Sequence, residues 1–170
     1  EVKKIETCGH DTVFEVEITS NRPDWLSHWG VAREISAVKN LVLKSWPKAV
    51  KKAPVLPVRN ASKEGWRVLL RDLEGCPYYT GVYIEGINPN PTPLFMRERL
   101  EACGMRSINL LVDITNYVLL ELGQPLHAFD ADLLKSQEII IRKARPNEKL
   151  VSISGKELPL ASKDVVIAEK

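Results

Sequence analysis

The residues of this chain best suited to chemistry fall in one stretch, INLLVDITNYVLLELGQPLHAFD from Ile108 to Asp130. Asp113, Thr115, Asn116, Gln124, His127 and Asp130 stand there among Val, Leu and Phe. Polar groups are costly to bury without partners, so these either satisfy one another or line a site. His127 has the chemistry of a general base or a water-orienting group, with Asp130 or Thr115 to fix its tautomer. It has equally the chemistry of a loop histidine bonded to a carbonyl. Asp113 sits near a helix start, where a carboxylate caps more readily than it catalyses. Thr115 and Asn116 are poor helix formers in a segment that otherwise favours Leu. A buried carboxamide needs several partners. Asn116 therefore either holds the Gln124–His127 turn, or converges with Thr115 and His127 on one pocket that offers donors and acceptors to an ester or to water.

The elements that must position these groups follow from periodicity. The stretch itself reads as a helix from about Asp113 to Leu122, ended by Gly123 and kept from resuming by Pro125. Upstream, Thr92 is expected to cap a second helix with Pro93 at its first position. Met96, Leu100 and Cys103 would line one face of that helix, with Gly104 just past its end. Near the beginning, VFEVEI (Val13 to Ile18) alternates as a half-wet strand does. Asn21-Arg22-Pro23-Asp24 then reads as the start of a helix that runs to about Val38 or Lys39 on Trp25, Trp29, Ala32 and Ile35. WRVLL (Trp66 to Leu70), YYTGVYI (Tyr78 to Ile84), EIIIR (Glu138 to Arg142), KLVSI (Lys149 to Ile153) and DVVIA (Asp164 to Ala168) read as strands. This order is mixed rather than strictly alternating, which predicts an α+β fold. Pro47, Pro54 and Pro57, interspersed with lysines, mark 47–62 as a linker between a piece at 1–46 and a domain at 63–170.

Composition narrows the classes. At 170 residues, 44% hydrophobic and 27% charged, the chain is an ordinary globular one, with no apolar run long enough to span a bilayer. Lys and Arg number 24 against 22 acidic residues, a net charge of +2, less than binding nucleic acid by charge alone would require. The cluster Lys44, Lys48, Lys51 and Lys52 reads as a solvated linker. Cys8, Cys76 and Cys103 are widely spaced and odd in number, which suits free thiols in a reducing cytoplasm. Cys8 and His10 lack a second ligand pair, so no zinc site is expected. There is neither a glycine-rich phosphate loop nor a Gly-x-Ser-x-Gly elbow. The first residue is not Met, which suggests an internal piece of a longer chain.

Three segments resemble, in the same order, the bacterial-type phenylalanyl-tRNA synthetase β subunit family. They are FEVEITSNRPDWLSHWGVAREISAV (Phe14 to Val38), CPYYTGVYIEGI (Cys76 to Ile87) and GMRSINLLVDITNYVLLELGQPLHAFD (Gly104 to Asp130). A weaker fourth runs from Arg142 to Leu158. The resemblance implies that 1–46 ends a small helical domain and that 63–170 begins a mixed-sheet editing domain with packed helices, left incomplete. It implies a ligase that charges tRNA(Phe) in an (αβ)₂ assembly with ATP and Mg, with no cofactor held by this segment. The β subunit of that family edits tyrosine wrongly attached to the tRNA. A hydrophobic synthetic pocket rejects an added hydroxyl by only about 100-fold, so a second site must hydrolyse the product.

Carried over by position, His127 would place the attacking water or the ester. Thr115 and Asn116 would shape the pocket, and Arg106 would contact the tRNA end or the substrate carbonyl. Departures fall at turns: Thr92-Pro93-Leu94-Phe95 replaces a usual Ser-Pro with an acidic-Trp pair, Ser107 stands where Pro is common, and Asn147 and Ser154 replace Gly and Asp. In the family a glycine-rich segment and a glutamate follow the position of Lys170, so the isolated chain is expected to be inactive, and it either folds alone or self-associates to cover an exposed sheet edge. The alternative expectation is a non-catalytic RNA-binding or assembly module of the same fold.

Overall fold

The computed structural model describes residues 1–9, 11–44, 60–63, 65–88 and 90–169. The expected linker at 47–62 therefore lies largely outside the described residues, as does His10. The fold is α+β, with helices α1 (His28–Lys39), α2 (Leu94–Ala102) and α3 (Leu110–Leu122) and eight strands among the described residues. Packing divides the chain into two units, each assembled from two stretches: Glu1–Lys48 with Asn88–Ala128, and Ala49–Ile87 with Phe129–Lys170. Among the described residues no helix is long and apolar enough to cross a membrane.

The first unit begins with an antiparallel hairpin of β1 (Val2–Cys8) and β2 (Asp11–Val16). Strand β1 is not signalled by its own sequence: VKKIETC has no clean alternation and is a strand because β2 pairs with it. The helix expected from Asn21 starts later. Pro23–Trp25 forms an isolated 3₁₀ turn, and Ser27 is the true cap of α1, its Oγ accepting from the Gly30 N–H at 3.0 Å. Arg22 and Asp24 serve a different purpose. The Arg22 guanidinium pairs with Asp24 and Glu34 and lies 4.1 Å over the Trp25 ring, while Arg33 also reaches Asp24. These contacts fold the 3₁₀ turn back on α1. Gly30 makes the approach feasible, since a Cβ there would lie 2.0 Å from the Asp24 carbonyl oxygen.

Helix α2 buries Leu100 fully and Met96 in part, while Cys103 of the expected face is exposed. It ends as predicted: the Gly104 N–H donates to Glu101 and the Met105 N–H to Leu100, closing the orphan carbonyls at its C-terminus. Its start differs from expectation, because Pro93 occupies the cap position and no side chain caps the helix.

In the second unit, a mixed four-stranded sheet has the order β3 (Asn60–Lys63), β4 (Trp66–Leu70), β5 (Glu138–Lys143), β8 (Val165–Ala168). The central β4–β5 pair is parallel and the flanking pairs antiparallel. Leu70, Ile141 and Ala144 form its buried core. A separate hairpin pairs β6 (Lys149–Val151) with β7 (Glu157–Pro159). Arg142 clamps Glu148 in a bidentate pair, 2.7 Å on both sides, and Glu148 also accepts from the Arg145 N–H. Asn147 has a φ of 61°, and Asn is among the few residues other than Gly that tolerate that conformation. Tyr78 to Ile84, expected as a strand, is not one. Its alternation is right, but β4 already has β3 and β5 on its two edges, so the segment runs alongside with Tyr83 stacked on Trp66.

Candidate functional site

Helix α3 and its two ends carry every candidate residue, and the two ends are built differently. At the N-terminal end Asn109 is the cap, its Oδ1 accepting from the Val112 N–H at 3.1 Å. The helix thus begins three residues before the expected start at Asp113, because a cap side chain lets Leu110 to Val112 join it. Asp113 is completely buried and is held by three donors. Thr92 Oγ1 (2.5 Å) and Ser107 Oγ (2.6 Å) donate to one carboxylate oxygen, and the Ile108 N–H (2.9 Å) to the other. Burial works to raise its pKa, but the Ser107 and Thr92 hydroxyls and the Ile108 amide outweigh it and hold the carboxyl below the usual carboxylate range. Asp113 is therefore an ionised, fully engaged strut tying the segments before α2 and α3 to α3 itself. Thr92 does not cap α2 because its hydroxyl is spent here. Ser107 supplies the second hydroxyl.

Past the first turn the polar residues are placed differently. Thr115 and Asn116 are half-buried on the body of α3. The Thr115 hydroxyl donates to the Val112 carbonyl at 2.7 Å, a bond within the helix that leaves its lone pairs available as acceptors. Asn116 makes no side-chain hydrogen bond with another described residue. The carboxamide thus does not hold the Gln124–His127 turn by hydrogen bonding, and a half-buried amide with two donors and an acceptor to offer is suited to a polar ligand. Tyr117 faces another way: Arg99 of α2 donates to its hydroxyl at 2.5 Å, and Phe95 meets its ring edge-on at 6.4 Å.

The helix closes on Gly123, whose φ of 74° is the left-handed conformation that a C-terminal stop needs. From there the chain runs as an extended segment through Gln124, Pro125 and Leu126 to His127, which is exposed. Arg106 lies in the loop between α2 and α3, also exposed, and pairs with no carboxylate among the described residues. Thr115 and Asn116 are thus adjacent on one helix, His127 follows four residues after its cap Gly123, and Arg106 precedes its start. All of them lie in the first unit. An apolar hollow lined by Val16, Trp25, Val31 and Ile35 lies in the same unit and includes none of them. Among the described residues no group of three or more His, Cys, Asp or Glu side chains is placed to hold a metal ion.

Two groups have no signal in the local sequence. Ser107 is a member of the Asp113 cluster only because of a loop that brings it back onto the helix. His28 donates through Nδ1 to the Leu120 carbonyl at 3.0 Å, across 92 residues of sequence.

Against known families, residues 75–170 match the B3/4 domain. The chain belongs to the B3/4 domain family. That match contains α2, α3, the Asp113 cluster and all four candidate residues. Along nearly its whole length the chain is also similar to proteins named phenylalanine–tRNA ligase beta subunit. The similarity is 45% identity over 159 residues for that of Geobacter metallireducens, covering 94% of this chain and 19% of the relative. It is 41% over 160 residues for Anaeromyxobacter dehalogenans, with the same coverage. For Thermotoga maritima it is 38% over 169 residues, 99% of this chain and 21% of the relative. The chain thus spans about a fifth of the length of the curated relatives it matches.

Proposed function

We propose that this chain is the portion of a phenylalanine–tRNA ligase β subunit that contributes one wall of an editing pocket, in which tyrosyl-tRNA(Phe) is hydrolysed. The observation that carries the reading is the B3/4 match over residues 75–170, within a collinear similarity to ligase β subunits over 94% of the chain. The half-buried Asn116 carboxamide, which makes no side-chain hydrogen bond with another described residue, supports it, because a site for an ester or a water requires a group with hydrogen-bonding capacity to offer. In this reading 1–46 is the end of a helical domain, 47–62 a linker and 63–170 the first part of the editing domain.

The roles divide by chemistry. Asn116 offers donor N–H groups to the ester carbonyl or to the ribose. The Thr115 hydroxyl, its proton committed to Val112, accepts from the water or from a substrate hydroxyl. His127, on the segment beyond Gly123, orients the attacking water, and Arg106 meets the phosphates of the tRNA end. Parent-protein partners are tRNA(Phe) and an α subunit in an (αβ)₂ assembly. ATP and Mg serve synthesis elsewhere in that assembly, in the cytoplasm, and the isolated chain is inactive because it holds only one wall.

The test uses the full-length parent β subunit with its α partner and tyrosyl-tRNA(Phe). His127→Ala slows hydrolysis of the mischarged tRNA while leaving phenylalanine attachment unchanged. Hydrolysis at the parental rate in both His127→Ala and Asn116→Ala would assign this chain to binding or assembly instead.

A further inference from the structure

The C-terminal end of α3 must be held still if the segment leaving it is to aim a side chain. The last carbonyls of a helix have no donors within it. In α3 the Gly123 N–H takes the Leu119 carbonyl, and the Leu120 carbonyl is taken from outside by His28. His28 is the first residue of α1, immediately after its cap Ser27. Ser27 itself packs against Gly123: a Cβ built on that glycine would come within 3.4 Å of the Ser27 Cβ and of the Leu26 carbonyl oxygen. The start of α1 and the end of α3 thus meet at two adjacent points, one a hydrogen bond and one a close packing contact. His127 lies four residues beyond that junction.

A carbonyl oxygen can only accept, so the His28 Nδ1 carries the proton in this contact, whatever the state of Nε2. Resting on the editing reading above, we propose that His28 is a positioning residue for that reaction: its Nδ1–H, by holding the Leu120 carbonyl, fixes the last turn of α3 and so the direction in which the Gln124–His127 segment departs. His28 touches no substrate; it acts through the helix end. Its contribution is to the geometry of the reacting groups rather than to affinity. Loss of the pin therefore lowers kcat for deacylation and leaves KM close to its parental value.

The side chain that best imitates an Nδ1–H donor is asparagine, whose carboxamide nitrogen occupies nearly the same place, whereas phenylalanine keeps the bulk and has no donor. The experiment compares His28→Phe and His28→Asn in the full-length β subunit with its α partner. Hydrolysis of tyrosyl-tRNA(Phe) is measured together with amide hydrogen exchange over Gly123 to His127. His28→Phe lowers kcat by about 10-fold or more, in the range that a small misplacement of reacting groups produces. It also speeds exchange at Gly123 to His127, and leaves phenylalanine attachment unchanged. His28→Asn restores both hydrolysis and protection. Equal hydrolysis and equal exchange in the parent and His28→Phe would overturn the proposal, as would a loss that His28→Asn does not repair. If His127→Ala and Asn116→Ala are themselves without effect, the editing reading has failed. Unchanged exchange in His28→Phe then also removes the pin, whereas faster exchange repaired by His28→Asn confines it to the helix end.

Discussion

The first turn of α3 and the stretch that follows it both contain polar residues, yet they use them in opposite ways. At the N-terminal end Asn109 and Asp113 are consumed by the fold. Asp113 takes three donors from two separate segments, and every oxygen it presents is occupied. Past the first turn, the Asn116 side chain makes no hydrogen bond with another described residue and is only half-buried. His127 stands exposed beyond the stop at Gly123. A polar residue inside an apolar run is thus no marker of function in itself. What distinguishes Asp113 from Asn116 is whether the side chain's hydrogen-bonding capacity is spent among the described residues, and the apolar context that makes both conspicuous is the same.

The contrast can be broken most severely at Asp113. Asp113→Ala leaves two hydroxyls and the Ile108 amide without their acceptor in a buried place, which is expected to cost about 3 kcal/mol of stability, read as a shift in the urea unfolding midpoint. Asp113→Asn, which keeps the shape and one acceptor, loses less. Midway along the helix the expected pattern reverses. Asn116→Ala changes the unfolding stability by about 0.5 kcal/mol or less, as removal of a side chain without a hydrogen bond to another described residue should. Thr115→Val, which removes the hydroxyl but keeps the branched shape, lowers deacylation by a smaller factor, about 3- to 10-fold, because a single neutral hydrogen bond is worth about 1 kcal/mol.

The smallest effect is expected in the second unit, at the Arg142–Glu148 clamp. The Arg142 guanidinium, followed by the Arg145 N–H, holds the Glu148 carboxyl down at about 2 against an ordinary 4.5. A lowered native pKa gives stability that is fully present above the unfolded value and is lost as pH falls through the native one. The parent should therefore lose stability between about pH 4.5 and pH 2 more steeply than Glu148→Gln, measured as urea midpoints across that window. Parallel slopes would show that the pair contributes nothing at this position.

How much of this was readable beforehand depends on the range of the interactions. The body of α3, its stop at Gly123, the strand at Trp66 to Leu70 and the strand at Glu138 to Arg142 are set by local periodicity and turn residues, and they stand where the sequence places them. The errors came from partners distant along the chain. Thr92 has the right type and place for a cap, yet its hydroxyl is drawn to Asp113, 21 residues later. Tyr78 to Ile84 alternates as a strand should, but neither edge of β4 is open to it. Asn21 to Asp24 resembles a helix start because the charged groups that fold it into a separate turn, Arg33 and Glu34, lie a helix away. For the candidate site, residue types and family resemblance pointed to Thr115, Asn116, His127 and Arg106. Neither could tell that Thr115 has committed its proton and that Asn116 has not, since that is decided by neighbours in space.

The proposed hydrolysis depends on Asn116, midway along α3, and on the segment beyond Gly123, not on the buried beginning of the helix. Hydrolysis of tyrosyl-tRNA(Phe) by the full-length β subunit carrying Asn116→Ala, assembled with its α partner, tests it most directly. The account predicts a fall in the single-turnover rate of about 10- to 100-fold, in line with loss of a preorganised donor, with phenylalanine attachment and the unfolding midpoint both unchanged. A parental rate of hydrolysis in a well-folded Asn116→Ala enzyme would contradict it.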